Sequence, residues 1–315
     1  MCIHPRIRAV ILLFAVLPLT GCFFRTHNPE KRLSTAILKE ATLNELVETI
    51  NSSASRLQTL NTTIDIDTAV GGPKKGKVTE YEEIGGYLLI RKPDMLRMIG
   101  KFPVVGNRVF DMVSNGKNFE LSIPPQNKFI VGTNQIGRPS DKPVENLRPQ
   151  HILDALLLRP IDQSEIAVLE QSTETVKDPK THKDAEQADY VIIVIRKEGN
   201  GYFLSRKIVF SRVDLMPHEQ LIYDKQGALV TDAHYESFTD FGGGIILPTI
   251  VKIERPIEEY EIQLAILKPR LNEPIKDEQF VLPQPPGSQL IDMDRKNGAT
   301  AENQQSNQER PKPNW

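Results

Sequence analysis

The sequence predicts a mostly β, α+β fold: one large antiparallel sheet curled into a half-barrel, with helices covering its concave face. Three observations carry this. Hydrophobic residues alternate with polar ones through about twelve short runs separated by turn residues, which is strand patterning with short connections and so an antiparallel meander. Only two stretches switch to helical spacing. A sheet of that size does not stay flat, and two helices with apolar stripes need a surface on which to bury them.

The first helix is read over Ala36 to Leu57. Thr42-Leu43-Asn44-Glu45 has the capping-box pattern, and Leu43, Leu46, Val47, Ile50, Ala54 and Leu57 form one stripe. From Leu60 the period becomes two, with Ile64 and Ile66 against Asp65 and Asp67, up to a turn at Gly71-Gly72-Pro73. Val78 to Arg91 reads as a long strand, bent or bulged at Gly85-Gly86. Met95–Ile99, Asn107–Val113, Lys117–Ile123 and Lys128–Val131 follow, with Ser114-Asn115-Gly116 as a hairpin turn. The polar stretch 133–146 interrupts the sheet. Leu147–Leu158, with Pro149 in its first turn and Pro160 beyond its end, is the second helix. Gln171 to Asp189 is charged and reads as a loop. Strands are then expected over Tyr190–Lys197, Tyr202–Val213, His218–Asp224, Leu229–Phe238, Leu247–Arg255 and Glu258–Lys268, the first with Val191–Ile195 covered on both faces.

Both termini stand apart from this body. Arg6 and Arg8 precede an apolar run from Ala9 to Leu19, too short for a confident membrane span and ending in Leu19-Thr20-Gly21-Cys22. This ending resembles the lipobox of bacterial lipoproteins, in which the cysteine receives a diacylglyceryl group and the signal is removed. The division is therefore residues 1–21 signal peptide, 22–35 tether, 36–282 folded domain and 283–315 a Pro- and Gln-rich disordered tail, with Cys22 as the lipid attachment. Two or three acyl chains at about 0.8 kcal/mol per buried methylene hold such a protein at a bilayer essentially permanently.

Composition narrows the function. The 315 residues are 39% hydrophobic and 25% charged with a net charge of −2, ordinary globular material. Loss of Arg6 and Arg8 (−2 less two positive charges) leaves −4, with no basic excess for nucleic acid. Of two cysteines, Cys2 leaves with the signal and Cys22 is committed to lipid, so no disulfide, thiol nucleophile or cysteine metal site is expected. Gly71 to Lys77 begins like a phosphate-binding loop, but Val78 and a strand follow where Ser or Thr and a helix are needed, so it reads as a lysine-rich hairpin turn. His151, His218 and His234 read as isolated, without a second metal ligand at strand or helix spacing, and no nucleophile elbow is present. The expectation is no catalytic residue, no metal and no cofactor: a binding protein, not an enzyme.

Two apolar features are the candidate sites. Ile152, Leu153, Leu156 and Leu157 form a greasy face, expected to act as a lid that lines a space for acyl chains. Phe102-Pro103-Val104-Val105 is an apolar stretch whose proline belongs in a loop or at an edge, a candidate bilayer contact.

From about Leu43 to Asn272 the chain resembles the LolA/LolB lipoprotein-localisation family, closest to the LolB side. The residues carrying this are Gly86-Tyr87-Leu88-Leu89-Ile90 with Lys92-Pro93 and Arg97; the stretch from Arg97 to Gly106; and Leu247-Pro248 with Ile253, Tyr260-Glu261-Ile262 and Leu264. The resemblance implies an outer-membrane-anchored, periplasm-facing monomer that accepts lipoprotein acyl chains from a LolA-like carrier and inserts them into the bilayer without cofactor or covalent chemistry. It also implies that Val104, with Phe102 and Val105, acts as the membrane-insertion loop. The alternative expectation is an envelope scaffold or assembly lipoprotein that binds a protein partner with the same fold.

Overall fold

The computed structural model describes residues 37–74, 76–134, 146–177 and 184–295. Cys22, the signal segment, the tether and residues 296–315 lie outside the described residues. Fourteen strands follow one another in a single open sheet, in the order β16-β7-β6-β5-β4-β3-β1-β14-β13-β12-β11-β10-β9-β8, with two short strands, β2 and β15, paired to β1. In chain order these are β1 (Thr59–Gly72), β2 (Lys77–Glu80), β3 (Ile84–Arg91), β4 (Met95–Lys101), β5 (Arg108–Asn115), β6 (Asn118–Ile123), β7 (Lys128–Thr133), β8 (Ile166–Lys177), β9 (Asp184–Glu198), β10 (Gly201–Ser211), β11 (Pro217–Tyr223), β12 (Leu229–Asp240), β13 (Ile246–Arg255), β14 (Tyr260–Ile266), β15 (Arg270–Leu271) and β16 (Gln289–Asp292). The sheet is curled and not closed. β1 is its keystone, pairing β3 on one side and β14 on the other and so joining the two meanders.

Because side chains alternate across a strand, cross-strand partners share a face. One continuous apolar face follows from the register. Ile130, Leu121, Met112, Met98 and Leu88 are successive partners in the first meander. In the second, Ile262, Ile253, Ala233, Gln220, Ile208 and Ile192 are successive partners. Every one of these residues is buried, Gln220 included.

Two helices pack on this face. α1 (Leu43–Arg56) starts where Thr42 and Glu45 close a reciprocal capping box, and it buries Leu46 and Ile50 against Ile192, Val194, Ile208 and Phe210. The expected start at Ala36 is too early. Residues 37–42 are not helical, and Lys39 N–H donates to the Arg212 carbonyl in the β10–β11 turn. α2 (Pro149–Leu156) buries Ile152, Leu153, Ala155 and Leu156 among residues of both meanders.

Three other expectations are corrected. The bulge in the long strand falls at Tyr81–Glu83, not at Gly85-Gly86. β2 and β3 pair along the same side of β1, and between the pairs Ala69↔Glu80 and Ile66↔Ile84 one residue more is used on the β2–β3 side. Gly86 serves a close approach instead: a Cβ there would lie 2.2 Å from the Ile99 carbonyl oxygen of β4. The charged stretch from Gln171 to Asp189 is strand, not loop, since its described residues complete β8 and begin β9, paired from Gln171↔Tyr190 to Lys177↔Asp184. β8 is a sheet edge, where charge is how strands avoid unwanted pairing.

The tail expected to be disordered from Pro283 is ordered over 283–295. After β15 the chain crosses the back of the first meander as a strap. Ile275, Phe280 and Leu282 pack there on Val113 and Phe129, and Arg91 pairs with Asp277. β16 then adds in parallel to β7, Met293 is buried, and the Asp294 carboxylate accepts from Thr133 N–H and Oγ1–H. Val191 is buried and Ile193 and Ile195 are half-buried, so the second face of β9 is covered in part.

Candidate functional site

The end of α2 is clamped to the sheet by side chains from the sheet itself. Tyr235 Oη donates to the Ala155 carbonyl at 2.6 Å, and Gln220 Nε2 donates to the Asp154 carbonyl at 3.1 Å and to Tyr235 Oη at 3.2 Å. The last carbonyls of a helix have no partner inside it, so these two residues satisfy groups that would otherwise be buried unpaired. The clamp decides where the chain goes next: Leu156, Leu157 and Leu158 emerge beside α1.

Between α1, these three leucines and the strands β10 to β13 lies a cavity of about 330 Å³. Ile50, Ala54 and Leu57 supply its helical wall, Phe210, Tyr235 and Phe238 its sheet wall, and Leu247 with Pro248 the wall from β13. Thr49, Ser52 and Ser53 form a polar rim along α1. At the C-terminal end of α1 the lining becomes cationic, with half-buried Lys92 and exposed Arg56. Lys92 Nζ donates to the Ala54 carbonyl, and burial pulls its ammonium below the ordinary lysine pKa.

Of the four lid residues read from the sequence, Leu156 and Leu157 line this cavity. Ile152 and Leu153 do not; they are buried in the main core, 1% and 4% exposed, against the sheet. The hollow therefore lies along α1, not beneath the apolar face of α2. The α1 contribution was missed because its stripe reads as core. The available signal was the run Asn51-Ser52-Ser53, a polar margin beside Ile50 and Ala54.

The apolar loop between β4 and β5 faces outward. Phe102, Val104 and Val105 are 40%, 107% and 68% exposed. Val105 N–H donates to the Pro103 carbonyl, and Val104 between them has φ 68°, so the apex is a γ-turn of the rare positive-φ kind. A β-branched residue in that region is strained.

The other histidines and the lysine turn resolve differently. The turn between β1 and β2 is held by the Glu259 carboxylate, which accepts from Lys74 N–H, while Lys74 Nζ donates to the Ile257 carbonyl. His151 is half-buried in α2, where desolvation, Arg255 and Arg148 hold its imidazole well below the usual value. His234 is not isolated, which corrects the sequence reading. Asp232 lies two residues away on the same face, Glu219 is its cross-strand partner, and one ligand atom from each lies within 4.8 Å of the others. Its bond to Asp232 raises the His234 pKa, and burial together with Asp232 raises that of Glu219. Two carboxylates and an imidazole form a donor set suited to a divalent ion, on the face opposite the core. The signal was Asp-x-His in a strand.

No described helix is long and apolar enough to cross a membrane. No family model matches the chain. No curated protein matches it. Solved structures similar to it include a LolA superfamily protein from Nitrosomonas europaea, at 13% identity and TM-score 0.46 over 77% of this chain and 99% of that one. A DUF1329 family protein from Desulfovibrio piger is 15% identical at TM-score 0.47, over 75% and 94% of the two chains. A candidate outer membrane lipoprotein-sorting domain from Vibrio parahaemolyticus is 10% identical at TM-score 0.42, over 74% and 95%. With TM-scores below 0.5, the functional reading rests on this chain's own residues.

Proposed function

We propose that this protein is a lipid-anchored acyl-chain-binding protein of the bacterial envelope that takes part in receiving lipoproteins and inserting them into the outer membrane. It acts by binding, without cofactor or covalent chemistry, as a monomer on the periplasmic face. Cys22 carries the anchor, and the helices form the lid over the concave face of the sheet. The single observation behind this reading is the cavity along α1. Its walls are aliphatic and aromatic, and its volume of about 330 Å³ falls at the lower end of the range of ligand sites. Apolar contact with these walls supplies affinity for an acyl chain, at roughly 25 cal/mol per Å² withdrawn from water.

Membrane contact falls to Phe102, Val104 and Val105. The fifteen residues from Cys22 to Ile37 span at most about 50 Å, whereas β4, which separates the Lys92 turn from this loop, is about 23 Å long. The anchor is therefore long enough for either end of the sheet to meet the bilayer.

The test is displacement of a fluorescent fatty acid from the purified protein. Leu157→Glu places a carboxylate in the wall, and Ser53→Phe fills the space from the α1 rim; each should weaken binding about tenfold or more with the circular dichroism of the sheet intact. Undiminished binding in both variants sinks the assignment of the cavity.

A second reading, a scaffold that binds a protein partner, has one observation in its favour. Among the described residues edge strand β8 pairs only with β9, and it exposes Ile166 and Val168, the arrangement to which a partner strand adds. Its charged residues, Glu170, Glu174 and Lys177, weigh against open pairing.

A further inference from the structure

We propose that the cavity selects single-chain amphiphiles with an anionic head, a carboxylate or a phosphate, held by Lys92 and Arg56 at the C-terminal end of α1. This rests on the acyl-chain reading and adds the class of ligand.

Two cations at this end of the cavity have no counter-charge among the described residues. Arg91, Arg97, Arg206 and Arg255 each ion-pair with a carboxylate. Lys92 and Arg56 ion-pair with none among the described residues; their side chains donate instead to backbone carbonyls, Ala54 for Lys92 and Gly244 for Arg56. One carbonyl uses one of the three ammonium donors of Lys92 and one of the five guanidinium donors of Arg56. Both side chains therefore keep hydrogen-bonding capacity at the cavity wall.

Capping the helix does not account for both. A cation near a helix C-terminus is favourable, and Lys92 on the Ala54 carbonyl has that role. The remainder of this helix end is already satisfied from elsewhere. Asn272 Nδ2 donates to the Arg56 carbonyl, its Oδ1 accepts from Gln58 N–H, and Lys92 N–H takes the Gln58 carbonyl. The Arg56 guanidinium contributes nothing to that cap. It lies instead on the Gly242–Gly244 turn, so close that a Cβ on Gly244 would meet its Nη1 at 2.0 Å. Gly244, at φ 73°, leaves room for the guanidinium where it borders the cavity.

The lining is polarised to match. Among its described residues the only carboxylate is Glu48, eight residues before Arg56 and so about 12 Å away along the helix axis. An amphiphile lying along α1 meets two cations at one end and apolar wall beyond them. A volume of about 330 Å³ takes one acyl chain at a time, whether that of a free amphiphile or one of those on a lipoprotein.

Displacement of a dansyl-labelled fatty acid by four compounds of one chain length provides the test: dodecanoate, dodecyl phosphate, dodecanol and dodecyltrimethylammonium. In the wild-type protein the two anions should bind about tenfold or more tighter than dodecanol, the value of one charge-assisted hydrogen bond. The cation should bind weakest. Lys92→Met and Arg56→Gln should each narrow the gap by weakening the two anions more than dodecanol; Arg56 is exposed, so its variant keeps the test valid if Lys92→Met unfolds. The order of carboxylate and phosphate separates a fatty acid from a phospholipid-derived ligand. Equal binding of all four compounds overturns the head-group proposal while sparing the acyl-chain reading; binding of none overturns both.

Discussion

Tyr235→Phe tests whether α2 is clamped to the sheet or merely rests on it. The substitution keeps the ring and its packing, so no cavity opens, and removes one hydroxyl that is buried at the centre of the fold. Two bonds go with it: the 2.6 Å donation to the Ala155 carbonyl and the 3.2 Å acceptance from Gln220. Gln220 retains the Asp154 carbonyl as its acceptor, so its loss is small. Ala155 is fully buried, and its carbonyl oxygen would lose this side-chain donor. An unsatisfied buried acceptor costs about 1–3 kcal/mol, and about 2 kcal/mol is expected here. Urea unfolding followed by circular dichroism measures it, as a lower midpoint with an unchanged slope. The double variant with Gln220→Met should lose less than the two single losses combined, because the residues share a network. A loss below about 0.5 kcal/mol for Tyr235→Phe, within the range of surface substitutions, would show that water reaches Ala155 and that the clamp does not set the position of the cavity leucines.

Other perturbations have equally definite outcomes. Asp111 is fully buried and accepts from Arg97 Nε and Nη2 at 3.0 and 2.8 Å; Asp111→Ala leaves a mostly buried guanidinium uncompensated and should cost about 3 kcal/mol in urea unfolding. Gly86→Ala drives a methyl group into the Ile99 carbonyl and should cost about 1–3 kcal/mol, read by thermal melting. For pH, the folded-state pKa of His151 is depressed, so the unfolded chain binds the extra proton, and stability falls as pH drops below about 6.5. The limiting slope is about 1.4 kcal/mol per pH unit, and His151→Gln should flatten it. His234 has the opposite sign: its pKa is raised by Asp232, so its contribution is complete below the ordinary imidazole value and is lost as pH rises through the folded one. His234→Gln should remove that small alkaline loss. Finally, Val104→Asp should reduce partition of the protein body onto phospholipid vesicles without lowering its melting temperature, because Val104 touches no core.

Most of the sheet was legible because local patterning and long-range burial agree in it. Ile64 and Ile66 alternate with two aspartates, and those isoleucines lie on the core face opposite Ile266 and Leu264. The capping box was legible for the same reason, since Thr42 and Glu45 specify their own geometry whatever the surroundings, although the helix itself was read as starting too early, at Ala36. What local pattern could not convey was pairing. Gln171 to Asp189 carries too much charge to read as strand, yet charge suits the edge position, and position in a sheet is not written in a segment's own residues. Ile291 and Met293 alternate with Asp292 in the tail, but Pro285, Pro286 and Gly287 dominate its composition and hid a four-residue strand. The cavity was less legible still. A residue lining a hollow and a residue filling a core are both apolar, and Leu153 and Leu157 were indistinguishable until the clamp on α2 separated them.

The placement of the two apolar features constrains how a ligand could pass between them. β4 begins next to the Lys92 turn at the cationic end of the cavity and ends at the exposed 102–106 loop, so the two lie at opposite ends of the strands, about 23 Å apart. Described residues nearest the tether, through the Lys39–Arg212 bond, enter at the cavity end. A loop that inserts into the bilayer thus turns the cationic end away from it, unless the body reorients on its anchor. On the proposed function, a segment able to span at most about 50 Å would permit both orientations, one that loads the cavity and one that inserts the loop. Shortening the segment between Cys22 and Ile37 until it spans less than the length of β4 should then abolish one of the two activities and spare the other. A short-tether variant that retains both vesicle insertion and uptake of membrane-bound ligand would refute a reorienting body.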